Sequence, residues 1–423
     1  MANAFNKEER VMFEELLQGF EDQLVLSRKV SKYQTSDVTM ERSGDVIWRP
    51  QPYVAQSFDG MDQTANFGDQ TQLAVPATLG FEKSSPWIMD AKQQRDALQE
   101  GRLGEAAKRK LASDINVAIM NTAANTSTLV VPVSTAAGDY DDIALCDSIM
   151  NEQGVSPSDR YLALSSRDYN GMAGNLVGTA RSMNNSTTNN AYEKGTIPDV
   201  AGFEVCKLDY ANQIPAAAGG GSLTIDTQAS ASNYHTPVST RTSATGERGN
   251  VDNRQQTITI SSTTSVVAGD CFTIAGVNAA HHETKGTTGQ LKTFRVISVP
   301  SSTTLVVSPP IISNQGSTDA EAQYQNCVVT VSATAAIVFL NSTVSHINPF
   351  WVKDALEIIP GRYAVPSDAG ASVMRASTAQ GIELVWQKQY DVNTMKTKYR
   401  LDTLFGVVNL QPEMTGILLF NQA

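Results

Sequence analysis

Cysteine is scarce: four in 423 residues, Cys146, Cys206, Cys271 and Cys327, set far apart and never as CxxC. That spacing speaks against a disulfide-dense scaffold and a thiolate zinc site, and few, scattered cysteines fit a reducing cytoplasm. Histidine is equally rare. His281 and His282 adjoin Glu283, but neighbours on an extended chain point to opposite sides and no third ligand is in view. The stretch therefore reads as a solvated loop, with metal binding the weaker alternative. Basic charge is short as well, with 32 Lys and Arg against 43 Asp and Glu and a net charge of −11. Nucleic-acid-binding chains are normally basic, which argues against a sequence-wide binder of that kind.

Long apolar runs are missing too. The most apolar stretch, 327–340, is broken by Thr330, Ser332 and Thr334 and is shorter than the roughly 20 residues a membrane span needs. Lys7, Glu8, Glu9, Arg10, Glu14 and Glu15 crowd the first fifteen residues and leave no apolar h-region, so neither a signal peptide nor a membrane partner is expected. Catalytic constellations are lacking: no Ser-His-Asp order, no P-loop, no GxGxxG, and Ser166 stands outside a GxSxG elbow. Asp139, Asp141 and Asp142 fail as an EF-hand, because Ile143 occupies a ligand position; Asp141 or Asp142 reads instead as a helix N-cap. No enzyme, cofactor or metal is expected.

What is present is a chain that is 41% hydrophobic and long enough for two or three domains. Its organising feature is a long helix expected over 87–124. Leu98, Leu111, Ile115, Ala118, Ile119 and Thr122 recur at helical spacing, and no proline follows position 87 within it. Gly101 and Gly104 weaken the N-terminal half. A rod of that length acts as a strut and points to assembly more than to catalysis. Residues 7–33 form an amphipathic helix, with Val11, Phe13, Leu16, Leu17, Phe20, Leu24 and Leu26 on the apolar side and Glu14, Glu15, Glu21 and Asp22 on the acidic one. It packs either on its own domain or, through its acidic half, on a basic partner.

Residues 38–82 are extended and rich in turns, with a strand at Val46, Ile47 and Trp48. A loop this long is usually functional, and one solution is a hairpin reaching to a neighbouring molecule. Strands at 129–133 and 160–164 alternate with helices, Ser165 or Ser166 capping the second, and 181–196 is a polar loop. After the linker AAAGGGS at 216–222 the composition shifts to Thr, Ser and Val. Short strands at 257–261, 271–274, 293–298 and 304–307 indicate a small inserted β-barrel or sandwich with polar loops at 227–249 and 279–290. Mixed structure returns afterwards: 349–359 is a strand or short helix, and 382–390, 398–408 and 415–420 are strands that pair with the one near Val46 and brace the long helix.

Several of these segments resemble one family, the major coat proteins of tailed bacteriophages with the Hong Kong 97 fold. They are Asp159-Arg160-Tyr161-Leu162-Ala163-Leu164-Ser165, the turn GTIPDVAGFEV at 195–205, NPFWVKDALEI at 348–358, and the closing stretch 400–419 with Phe405-Gly406-Val407 and Pro412-Glu413. Met40-Glu41-Arg42-Ser43, Ile47-Trp48, Pro50 and Val251-Asp252-Asn253-Arg254 before Gly269-Asp270 are similar to the narrower subfamily of the Salmonella phage P-twenty-two coat, Sf-six-like Shigella podophage coats included. The resemblance implies an α+β fold with an inserted small β-barrel: N-terminal arm 1–34, peripheral strand and extended loop 35–86, spine helix 87–125, axial domain 126–216, inserted barrel 217–338, and axial remainder with C-terminal peripheral strands 339–423.

It also implies a T=7 icosahedral virion capsid, assembled in the host bacterial cytoplasm from pentamers and hexamers of this chain. The implied partners are a scaffolding protein, a portal protein and packaged double-stranded DNA held without sequence-specific binding. Glu14, Glu15, Phe58, Phe67, Arg102, Arg241, Glu247 and Arg248 are then the candidate inter-subunit contacts. The rival readings are a nanocompartment shell of the same fold and a β-rich tail or adhesin protein.

Overall fold

The computed structural model describes residues 7–33, 46–52, 54–55, 57–64, 66–93, 97–138, 140–179, 197, 199–218, 223–226, 234–313, 315–316, 318–365 and 370–422. The polar loop 181–196, most of the linker and the motif at 40–43 lie outside these. The chain is α+β and divides into two units, one of 1–47, 77–122 and 356–408 and a second of 48–76, 123–355 and 409–423.

The first unit holds α1 (Lys7–Gln23) and most of α2 (Ala97–Thr126). At about 1.5 Å per residue α2 is roughly 45 Å long. Its stripe of Ala107, Leu111, Ala112, Ile115, Ala118 and Ile119 is buried. The helix does not start at Trp87. That stretch is the strand Phe81–Asp90, paired over its whole length with Lys396–Phe405 of the long strand Lys396–Asn409. Two directly opposed aromatic pairs decide the matter: Phe81 stacks on Phe405 at 5.2 Å and Trp87 on Tyr399 at 5.5 Å. Such cross-strand pairs stabilise a ladder that helical spacing alone does not reveal.

The rest of that sheet runs in the order Ser31–Lys32, Leu356–Pro360, Lys396–Asn409, Glu383–Asp391, Ser372–Ser377. The strand Val46–Pro50 pairs with Ala74–Thr78 rather than with C-terminal strands. Here the loop folds back on its own stem, with Gln51 N donating to Leu73 O at 2.8 Å. Helix α1 ends at Gln23, short of the expected 33; it buries Phe13, Leu16 and Phe20 within its own unit, and Leu24 just beyond its end is buried too. Phe13 lies 5.9 Å from the Trp386 ring, and Glu9 pairs with Lys388. Gly104 faces Leu16 of α1: a Cβ there would meet the Leu16 side chain at 3.4 Å, an ordinary packing distance.

In the second unit five strands run in the order Leu129–Pro132, Thr415–Leu419, Asn348–Val352, Arg160–Ser165, Phe203–Leu208. The outer pairs are parallel and the inner ones antiparallel. A Cβ at Gly416 would sit 2.1 Å from the Phe350 ring, so only glycine lets that ring lie flat on the neighbouring strand. Helices α3 (Tyr140–Glu152) and α4 (Ser166–Thr179) cover this sheet through Ile143, Cys146, Met150, Tyr169 and Met172. Asp141 and Asp142 stand in the first turn of α3, where carboxylates suit the helix dipole. Ser165 caps α4: its Oγ accepts from Asp168 N at 3.2 Å and donates to Asp168 Oδ2 at 2.7 Å, while its own N–H donates to Asn348 Oδ1.

A second sheet in this unit has the order Gln256–Thr259, Thr304–Ser308, Thr287–Ser298, Cys271–Ala280, Ile337–Phe339. Residues Thr224 and Ile225 bridge Ala336 at one edge and Ile260 at the other. Four backbone hydrogen bonds of 2.8–3.0 Å make the join, among them Ile337 N to Leu223 O and Asp226 N to Thr259 O. The sheet is thereby closed around Ile258, Phe272, Ile274, Phe294, Val296, Leu305 and Val307. Polar residues 279–290 form no loop of that length: half belong to the strands Cys271–Ala280 and Thr287–Ser298, joined by the six-residue turn 281–286. Helix α5 (Asp319–Tyr324) follows, capped by Thr318.

Candidate functional site

Two kinds of surface distinguish the molecule: polar or apolar groups left open to solvent, and charges sealed inside. The most complete exposure is at 241–250, ten consecutive exposed residues. They form the ribbon Thr240–Thr242 with Arg248–Asn250, in the register Arg248 opposite Thr242 and Gly249 opposite Arg241. Arg248 Nε donates to Thr240 Oγ1 at 2.9 Å, and Glu247 N to Ser243 Oγ at 3.1 Å in the turn. Asn253 fastens the base: its Oδ1 accepts from Val238 N, and its Nδ2 donates to Val238 O and Val251 O. A two-stranded ribbon is marginal by itself in water, so one held out from the body without burying either face has its use elsewhere. Arg241, Glu247 and Arg248 are all on it; the sequence reading missed the strand pairing and the anchoring asparagine.

Phe58 and Phe67 lie on the long loop of the second unit, 51% and 89% exposed, and Met61 between them is fully exposed. Apolar side chains this open are informative when they cluster on one loop. Gln63 and Asp62 hold the turn locally, Asp62 Oδ1 accepting from Thr64 N and Oγ1. Farther on, the loop is tied to α5: Asp69 N donates to Asp319 Oδ2 at 3.2 Å, Thr71 N to Gln323 Oε1 at 3.1 Å, and Tyr324 Oη to Thr71 O at 2.9 Å. Part of the loop therefore rests on its own chain and part is free.

In the first unit, Glu14 and Glu15 are exposed on the face of α1 opposite its buried stripe. Arg102 is exposed on α2 beside Glu105, Arg109 and Lys110, which together line a shallow charged groove. The eight candidates are thus distributed over four elements, α1, α2, the long loop and the ribbon.

Inside, a charged cluster joins the closed sheet to the C-terminal segment. Lys292, 1% exposed along its side chain, pairs with Glu413 and donates to Gln153 Oε1 at 3.2 Å. Asn326 Nδ2 donates to Glu413 Oε1 at 2.9 Å. His282 is not a solvated residue: its Nε2 is buried 3.7 Å from Glu413 Oε2, and burial pushes its pKa down to about 4. Burial raises the Glu413 carboxyl, but Lys292 and His282 together with two hydrogen bonds outweigh it and hold the group below its ordinary value. His281 turns the other way, its Nδ1 accepting from Glu283 N and Thr284 N at 3.2 Å and its ring against Gly154. Lys285 donates to Gln323 O at 2.8 Å, and burial lowers its pKa to about 8. Burial also pushes the Cys327 thiol up to about 12, an inert setting. Among the described residues no group of three or more His, Cys, Asp or Glu is placed to hold a metal ion, and no helix is long and apolar enough to cross a membrane. What the arrangement offers is adhesive surface on a braced body.

Comparison with known proteins agrees with that character. A family model described as "P22 coat protein - gene protein 5" matches residues 1–421. Among solved structures, one from Mycobacterium phage Che8 is 11% identical and is matched over 92% of this chain and 91% of its own, with a TM-score of 0.43. The capsid of the cyanophage P-SCSP1u is 11% identical over 93% of this chain and 91% of its own, with a TM-score of 0.43. The CUS-3 coat protein I-domain is 38% identical over 29% of this chain and 99% of its own, with a TM-score of 0.23.

Proposed function

The chain belongs to the P22 coat protein family, and from that premise we propose that it is the shell subunit of a tailed-phage head built through a scaffold-assisted procapsid. The family is a structural one, not an enzyme family: its members are coat proteins of phage particles. The match across residues 1–421 carries the reading, and the exposed ribbon and loop support it. The subunit has the Hong Kong 97 type of fold, with α1 in the N-terminal arm, α2 as spine helix and 217–338 as an inserted domain that folds alone. The head is a T=7 icosahedral capsid of pentamers and hexamers. It closes on a portal in the host bacterial cytoplasm, expands as DNA enters, and belongs to a podophage of Shigella.

The physical logic is one of many modest contacts. Laying loops and ribbons on neighbours buries area of the order a specific interface needs, about 1,200–2,000 Å² in total, while each contact stays weak enough for errors to dissociate. Glu14 and Glu15 face a basic scaffolding helix. Phe58, Phe67 and Arg102 meet neighbouring subunits, and Arg241, Glu247 and Arg248 bridge capsomers. The net charge of −11 suits a lining along which DNA slides, since a basic one would grip the phosphates.

The test is electron microscopy of the purified chain expressed with and without the phage's scaffolding protein. Uniform closed shells that require the scaffold are the expected result; small oligomers under both conditions would overturn the reading. Charge reversal at Arg248 sharpens it. Arg248→Glu should leave the free subunit within about 0.5 kcal/mol of its original stability and lower the heat resistance of shells.

A further inference from the structure

A cavity of about 140 Å³ opens in the second unit beneath Gln51, Pro52, Val54 and Leu73. Its walls are mainly apolar, with Pro309, Pro310, Ile312, Tyr324, Pro412 and Met414 among the lining residues. The roof is tied down on both sides: Gln51 N donates to Leu73 O and Gln51 Nε2 to Leu410 O, each at 2.8 Å. An engineered cavity of about 150 Å³ holds one benzene molecule, so the size is that of a single ring.

Two buried polar atoms among the lining residues, Gln323 Nε2 and His282 Nε2, have no hydrogen-bond partner among the described residues. Gln323, 4% exposed, accepts from Thr71 N through Oε1, while its buried Nε2 has no partner among the described residues. Glu413 gives Oε1 to Lys292 and Asn326, and its Oε2 stands 3.7 Å from the unpartnered His282 Nε2. A buried donor without an acceptor is rare in folded proteins and asks for a missing partner. Gln323 Nε2 needs an acceptor, and Glu413 Oε2 can take a donor. A ring bearing a primary carboxamide supplies both on one substituent.

We propose that this cavity is a binding site for a small monocyclic aromatic carboxamide. The ring lies against the proline and aliphatic walls, the carbonyl oxygen accepts from Gln323 Nε2, and the amide N–H donates to Glu413 Oε2. A carboxylate in place of the amide is rejected, because it brings a second negative charge to Glu413 and no donor. An occupant fixes Gln51, Pro52 and Val54 against the closed sheet. This inference stands independently of the shell reading.

The test uses the full chain and fluorine NMR of three probes: 4-fluorobenzamide, fluorobenzene and 4-fluorobenzoate. Saturable line broadening is expected for 4-fluorobenzamide, binding about tenfold weaker for fluorobenzene, in line with the loss of one hydrogen-bonded group, and none for 4-fluorobenzoate. Gln323→Leu should weaken the amide several-fold, towards the affinity of fluorobenzene, and leave fluorobenzene itself unchanged. Val54→Trp, at a half-exposed roof position that leaves the core untouched, should abolish binding of both. No saturable broadening with the amide, equal affinity for amide and fluorobenzene, or binding that survives Val54→Trp would each overturn the proposal.

Discussion

Two of the three large sheets of this protein treat their edges in opposite ways. The sheet of the first unit ends in the strand Ser372–Ser377, which among the described residues is paired on one side only. The sheet between 223 and 339 has its outer strands joined through Thr224 and Ile225. An open edge presents a row of unpaired backbone groups and a closed sheet presents none. Closure therefore removes the sheet's own means of pairing with another chain. The exposed ribbon at 240–250, carried outside the closed strands, restores a place for contact without opening the barrel. In a closed body with an appended ribbon the exposed strands are distinct from those that enclose the core; in an open sheet the edge strand belongs to the core sheet itself.

If that comparison is right, damage to the closed core should be costly and confined. Phe272, fully buried, lies 5.7 Å from Phe294 and 6.2 Å from Phe339. Phe272→Ala should destabilise the excised segment 217–338 by about 3–5 kcal/mol, read from urea unfolding. A segment that shows no cooperative transition even with Phe272 in place would break the comparison. Next comes the joint between closed sheet and C-terminal segment. Lys292→Ala strands Glu413 without its cation and should cost roughly 3 kcal/mol in the full chain. Replacing the pair together, by Lys292→Met with Glu413→Leu, should cost clearly less in the same unfolding measurement.

Acid should weaken the same joint. His282 is held neutral in the folded state, with its pKa pushed down to about 4 from 6.5. Between those values the unfolded chain binds the proton and the folded chain does not, so stability rises with pH across that window and is lost as pH falls from 6.5 towards 4. The expected loss is of the order of 2 kcal/mol. A stability profile of His282→Gln should be flatter over that range by about this amount. The smallest effect belongs to the open sheet. A double-mutant cycle on Trp87 and Tyr399, stacked at 5.5 Å, should give a coupling of about 1 kcal/mol. A coupling near zero would remove the reason given for this stretch being strand.

How much of this was legible beforehand depended on how local the signal was. The cap at Ser165, the buried stripe from Leu111 to Ile119 and the strand-rich composition of the inserted region are short-range patterns, and the structure carries each of them. The start of α2 was missed because Trp87 and Phe81 owe their conformation to Tyr399 and Phe405, more than three hundred residues away. His282 was misjudged for the same kind of reason: its surroundings come from Glu413 and Lys292, which nothing in the stretch 279–290 announces. Of the contact candidates, Arg241, Glu247 and Arg248 were placed in a loop and turned out to share a ribbon, while Glu14, Glu15, Phe58, Phe67 and Arg102 are exposed on surfaces the sequence could not map.

By itself the sequence determined the α+β character, the amphipathic helices, the change of composition after the glycine linker and the acidic balance of charge. Each follows from residue type and spacing along the chain, which act over a few residues or over the whole composition. Only the tertiary structure decided which strands pair, that the sheet between 223 and 339 closes, that Gly416 lies under the Phe350 ring and that His282 is buried. Those outcomes depend on contacts between residues distant in sequence, where burial and close packing outweigh local preference.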